Sequence, residues 1–257
     1  MSWRRFLAFD FLLFTFDFPM IVTIDGPAGA GKSSAARALA RCLGFEYLDT
    51  GAMYRAVTLA ALRMRIDLND DNDYAPLLAG LNLEMPAGRV LLNGEDVTSE
   101  IRKVEVTAAS GAVADRPIVR RRLVELQRQI AAGRNIICEG RDQGTIVFPE
   151  AACKFFLVAD PSERARRRQR EMAARGEMVP WEELVRAQDA RDRRDAARDI
   201  APMVPAPDAI QLDSTELTLD QMVARMEAEV RKRLADGDRN QEPGIRKQGA
   251  AKTAPLE

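Results

Sequence analysis

MIVTIDGPAGAGKSS, residues 20–34, decides how the rest of the chain is read. Residues 20–25 form a short apolar, β-branched run, the pattern of a strand buried on both faces. It enters Gly26-Pro27-Ala28-Gly29-Ala30-Gly31-Lys32-Ser33, which fits G-x-x-x-x-G-K-[ST]. Ser34 opens a stretch rich in Ala, Leu and Arg, 34–43, with helical period. A loop that wraps a diphosphate must turn successive backbone N–H groups inward, and glycines permit that path. The following helix N-terminus adds partial positive charge. Lys32 supplies a mobile cation for the β- and γ-phosphates, and the Ser33 hydroxyl is placed to bind Mg2+. The strand, loop and helix together predict an ATP phosphate site over residues 26–34. They do not name the acceptor.

Working outward, further apolar strands are predicted at 45–48, 135–139, 153–158 and 209–212, with helical patterns between them, notably 118–132 and 217–234. Strands alternating with helices indicate an α/β fold: a five-stranded parallel sheet with helices on both faces. Ligands in such sheets sit beyond the carboxyl ends of the strands. This singles out Asp49-Thr50-Gly51, Gly140-Arg141-Asp142 and Asp160, which follow the strands as the phosphate loop does. Residues 81–85, 89–92 and 95–97 alternate around turn signals and predict a small antiparallel meander inserted over 63–103. Residues 163–199 hold eleven arginines and nine acids, a balance that reads mostly as a solvated helix pair. Arg191, Asp195 and Arg198 differ. On one helix their i, i+4, i+7 spacing puts two guanidiniums and a carboxylate on one face, able to close over a transferring phosphoryl group.

Composition bounds the chemistry. The 257 residues contain no histidine, which removes a His general base, a Ser-His-Asp triad and any His-bound metal. With 38 basic and 39 acidic side chains, the chain lacks the charge excess of a dedicated nucleic-acid or anionic-membrane binder. Cys42, Cys138 and Cys153 have no C-x-x-C spacing and read as buried free thiols of a cytoplasmic protein. Residues 1–19 carry six of the ten Phe. Asp10 and Asp17 interrupt the run, which is too short to span a bilayer. The reading is a dispensable extension, with Met20 a candidate start. Residues 236–257 lack periodicity and read as a disordered tail.

IDGPAGAGKSS, LDTGAMYR, GEDVTSEIR, CEGRDQGTIVFP, RDRRDAARDIAPMVPA and IQLDST, in this order, resemble the bacterial cytidylate (CMP/dCMP) kinases, a branch of the P-loop nucleoside monophosphate (NMP) kinases. The resemblance runs over about 20–234. It implies one kinase domain over 20–235, with 63–103 as the NMP-binding insert and 163–199 as the lid. It also implies a cytoplasmic monomer that phosphorylates CMP and dCMP with ATP and Mg2+. The implied acceptor residues are Thr50, Tyr54, Arg55, Arg120, Arg141, Asp142, Arg191, Asp195 and Arg198. Lys32, Arg141, Arg191 and Arg198 are expected to neutralise charge in an in-line transfer, and Asp142 and Arg120 to read the cytosine edge. The sequence departs from the family at one point: where a serine usually contacts cytosine, Gly111 stands, with Ser110 just before it. Three rival readings stand beside this one: a P-loop kinase for another small acceptor (UMP, AMP or a non-nucleotide acid), a guanine-nucleotide switch and an RNA-binding module. No Asn-Lys pair supports the second. The near balance of charge and the scarcity of aromatics in 163–199 argue against the third.

Overall fold

The computed structural model describes residues 19–174 and 176–239. The elements run β1 (Ile21–Asp25), α1 (Lys32–Leu43), β2 (Glu46–Asp49), α2 (Thr50–Met64), α3 (Asp71–Ala79), β3 (Leu83–Glu84), β4 (Leu91–Leu92) and β5 (Glu95–Asp96). Then follow α4 (Val104–Ala114), α5 (Pro117–Ala131), β6 (Ile136–Glu139), β7 (Cys153–Val158), α6 (Pro161–Ala173), α7 (Trp181–Ala196), β8 (Ile210–Asp213) and α8 (Leu219–Arg239). The large sheet is parallel, in the order β2-β6-β1-β7-β8. Each of its strands lies within one residue of its expected bounds.

Side chains alternate across this sheet, as a strand's two-residue period requires. Ile136 and Cys138 enter the apolar cluster built with α2, α4 and α5. Ile137, between them, enters the opposite cluster with Val22, Leu39, Phe155 and Met226. Both faces are therefore covered, which explains why β1, β6 and β7 read as continuous apolar runs. The phosphate loop leaves central β1, so it opens in the crevice between the two helical layers.

The meander forms as β3-β4-β5, but it is no separate domain. Leu83, Leu92 and Val97 share a core with Met53, Val113 and Leu123. The insert also contains α3, whose Pro76 lies inside the helix. Asp70 starts that helix by accepting from Asn72 N–H.

Three expectations need correction. Helix α7 ends at Ala196, so Arg198 does not share a helical face with Arg191 and Asp195. The chain turns back there, and Met203 N–H bonds to the Asp195 carbonyl at 2.8 Å. Cys42 is exposed, whereas Cys138 and Cys153 are buried. Helix α8 runs to Arg239, four residues into the expected tail. The remaining tail, and residues 1–18 of the expected extension, lie outside the described residues. Among the described residues no helix is long and apolar enough to cross a membrane.

Candidate active site

Gly26 leaves β1 at φ 134°, a conformation that L side chains resist. A Cβ there would also run into the carbonyl oxygen of Leu157. The loop can therefore lie flat against β7 only with glycine at this position. Gly31 caps α1 in a left-handed conformation, which brings the helix N-terminus to the loop. Ala30 is buried, Pro27, Ala28, Gly29 and Ser33 are half-buried, and Ser34 is exposed. Lys32 folds back over the loop and donates to the Pro27 carbonyl at 2.7 Å. Burial, then the Arg141 charge, depress its pKa well below the ordinary lysine range, with Glu139 opposing. An incoming phosphate would restore the full charge.

Asp25 ends β1 and is 5% exposed. Its carboxylate accepts Gln143 N–H at 2.9 Å and Gly144 N–H at 2.8 Å. This pins the tight turn that follows Arg141 and Asp142 beside the phosphate loop. Burial raises the Asp25 pKa to about 6, against those two hydrogen bonds.

Arg141 crosses the cleft. Its Nη1 donates to the Gly26 carbonyl at 3.0 Å, and its Nε to Asp195 at 2.9 Å. The glycine loop and α7 thus meet on one guanidinium. Asp195 also pairs with Arg198 at 2.8 Å, and Arg198 reaches Asp115 at 2.7 Å. Burial would raise the Asp195 pKa, but Arg141, Arg198 and Arg191 outweigh it and the pKa falls below the usual value. Arg191 stands among these groups. Much of it stays in solvent, yet desolvation of the guanidinium, then Arg141, lower its pKa to about 10.

The other side of the cleft, where the resemblance places the acceptor, is built by α2, α4, α5 and the turn after β6. Arg120 and Asp142 form a buried ion pair. The Arg120 guanidinium lies 5.8 Å from the centre of the Tyr54 ring, and it donates to the Ala114 carbonyl at 3.2 Å. Burial raises the Tyr54 phenol, so it stays protonated. Arg55 holds Asp49 at 3.4 Å. Thr50 is a strut: its buried hydroxyl donates to the Glu139 carbonyl at 2.6 Å. Ser110 does not stand in for the missing serine, because its hydroxyl turns back to the Thr107 carbonyl at 2.8 Å.

Most of the residues singled out in the sequence therefore gather at the carboxyl edge of the sheet; Asp160 instead is exposed and caps α6, its carboxylate accepting Ser162 N–H at 2.8 Å. Sequence reasoning missed several of their partners. Asp25 was signalled only by its place just before the glycine loop. Arg164 follows β7 as the loop follows β1. It donates to the Ala28 carbonyl at 3.1 Å and pairs with Asp192 of α7. Glu139, buried at the end of β6, accepts from the Tyr47 hydroxyl at 2.8 Å. No local pattern marked Asp115.

A family model described as cytidylate kinase matches residues 22–232. A cytidylate kinase from Geobacter sp. (strain M21) is 48% identical over 224 residues, which cover 86% of this chain and 96% of the relative. Another, from Pelotomaculum thermopropionicum (strain DSM 13744 / JCM 10971 / SI), is 50% identical over 214 residues, covering 81% and 95%.

Proposed function

This chain belongs to the cytidylate kinase family, and from that premise we propose that it transfers the γ-phosphoryl group of ATP directly to a 5′-phosphate oxygen of CMP or dCMP. The observation that carries the reading is the double attachment of Arg141, to the donor loop at Gly26 and to the lid at Asp195. A cation held between two nucleotide sites is placed where negative charge crowds during transfer.

The acceptor oxygen is ionised at neutral pH, so the reaction needs no general base, in keeping with a chain that has no histidine. Positioning and charge neutralisation then carry the catalysis. Lys32 and the loop N–H groups hold the donor phosphates. Arg55 and Arg141 anchor the acceptor phosphate. Arg191 and Arg198 approach as the lid closes and excludes water. Asp142 accepts from the exocyclic amine of cytosine, a group uracil lacks.

The donor set fits Mg2+. Ser33 offers a hard oxygen ligand at the first turn of α1, and the buried Asp25 and Glu139 carboxylates stand near Lys32. Among the described residues no cluster of three acids, thiols or imidazoles could hold a metal by itself. This suits an ion bound chiefly by substrate phosphates and water. When bound, Mg2+ supplies charge neutralisation at the β- and γ-oxygens. A coupled assay of MgATP against CMP, dCMP, UMP and AMP tests the proposal. Diphosphate formation is expected from CMP and dCMP, and no product from either would overturn it.

A further inference from the structure

Where a glycine loop turns its N–H groups toward a phosphate, its carbonyls face the other way. Three consecutive carbonyls of this loop are held by cations. Arg141 donates to Gly26 at 3.0 Å, Lys32 to Pro27 at 2.7 Å and Arg164 to Ala28 at 3.1 Å. Lys32 opens α1. The other two go on to α7, Arg141 to Asp195 and Arg164 to Asp192. The two carboxylates stand about one helical turn apart, so α7 is tied to the loop at two points.

The tie at Arg164 is closely packed. Arg164 is 6% exposed, and its Nε donates to the Ala159 carbonyl at 3.1 Å. Gln188 of α7, also buried, donates to the Arg164 carbonyl at 3.2 Å. Gly29 makes room for both. A Cβ there would stand 3.0 Å from Arg164 Cβ, from the Arg164 carbonyl oxygen and from Gln188 Nε2. The second oxygen of Asp192, Oδ1, is buried with no hydrogen-bond partner among the described residues. Arg164 is therefore what balances this carboxylate.

The buried face of α7 shows why such ties matter. Leu184, Gln188 and Asp195 are its buried residues, and with Asp192 they form one stripe at i, i+4, i+8 and i+11. Only Leu184 in that stripe is apolar. A helix seated on so little apolar surface is held by hydrogen bonds and charge rather than by packing. Two ties a turn apart fix its rotation as well as its position, and with them the direction of Arg191, the residue before Asp192.

Resting on the transfer reading above, we infer that Arg164 is a positioning residue: with Asp192 it clasps α7 to the glycine loop so that Arg191 and Asp195 face Arg141. It acts through α7 and not by touching either nucleotide.

The test compares the wild type with Asp192→Asn, Arg191→Ala and the double variant in steady-state assays with MgATP and CMP, beside native-state hydrogen exchange without nucleotides. Asp192→Asn keeps the size of the side chain and removes the ion pair. It is expected to lower kcat by about 10- to 100-fold and to leave the Kd for MgADP within about threefold. Exchange across 181–196 should rise about tenfold or more while β1, β6 and β7 keep their protection. Added to Arg191→Ala, the same change should cost at least about threefold less than it does alone, because part of what it positions is gone. Arg164→Lys, which keeps the charge but not the fork, should show the same pattern with a loss of about threefold to tenfold, so the test stands if Asp192→Asn fails to fold. Unchanged exchange at α7 would overturn the inference, as would losses in Asp192→Asn and Arg191→Ala that multiply. A wild type that makes no diphosphate from CMP would overturn the transfer reading instead, and the exchange result would still judge the clasp.

Discussion

Asp195→Asn is the sharpest perturbation of the lid. The carboxylate is 4% exposed and receives Arg141 on one oxygen and Arg198 on the other, at 2.9 and 2.8 Å. Arg191 adds its charge nearby. The amide is nearly isosteric but uncharged, and one end of it presents N–H groups to a guanidinium. Three cations would then face one another around a neutral group. Removing one partner of a buried ion pair costs about 3–5 kcal/mol. The lid escapes most of that penalty by opening and rehydrating, so the loss falls on the closing equilibrium rather than on the global fold. At 1.36 kcal/mol per tenfold change, kcat/KM for CMP should drop by roughly two to nearly four powers of ten. The melting temperature should move by only a few degrees. A coupled kinase assay beside a thermal melt reads both. A variant within tenfold of wild-type kcat/KM would refute the claim that Asp195 gathers the lid arginines. So would one whose activity loss is matched by global unfolding at the assay temperature.

Arg191→Ala should lower kcat by about tenfold to more than a hundredfold with a smaller change in ATP binding, and wild-type turnover would remove Arg191 from the transfer step. Asp25 gives a pH test. Its folded pKa is raised from 3.8 to about 6, so the native state binds the proton more readily than the unfolded chain. The ionised form therefore costs about 3 kcal/mol of stability above pH 6, and that cost is relieved as pH falls toward 4. Relative to Asp25→Asn, the wild type should gain stability over this window in urea unfolding. A constant difference between the two proteins from pH 7 to pH 4 would contradict it. The thiols give a simpler check. Burial pushes Cys153 up to about 12 and Cys138 further, while Cys42 is exposed. A thiol reagent should titrate one cysteine in the native protein and three after denaturation. Rapid native labelling of a second would show that the core opens more easily than its packing implies.

The fold was legible where its determinants are local. Strands β1, β6 and β7 are buried on both faces, and such strands leave continuous apolar runs that need no partner to be recognised. The phosphate loop was legible because glycine dihedrals and the Lys-Ser pair lie within one short stretch. Helix α3 was not singled out, because Pro76 interrupts its pattern and lacks the N–H that a helix interior uses. The charge pairs were the least visible. Arg141 meets Asp195 and Arg198 meets Asp115 across 54 and 83 residues, and no sequence period links them. Residues 163–199 read as solvated because a near balance of charge does not reveal which arginines turn inward. The i, i+4, i+7 argument grouped three residues that the structure also draws together, but for a partly wrong reason. Arg198 reaches Asp195 because the chain turns back after Ala196, not because the helix continues.

That turn also bears on how the charges of the cleft are held. On the proposed function, a site that holds ATP and a nucleoside monophosphate concentrates positive charge, and unpaired guanidiniums at short range would hold the lid away. Here Asp49, Asp142, Asp195 and Asp115 each take an arginine of the rim. The charge is thereby stored as ion pairs rather than as repulsion. Phosphate binding becomes an exchange of one anionic partner for another, which costs less reorganisation than assembling cations from solvent. Lys32 and Arg191, whose pKa values burial and neighbouring cations depress, are the groups that an anion relieves most. On the proposed function, closure is therefore favoured where donor phosphate and acceptor phosphate are both present. With only one of them bound, part of this repulsion persists, and that asymmetry favours the lid shutting over a nucleotide pair rather than over ATP and water.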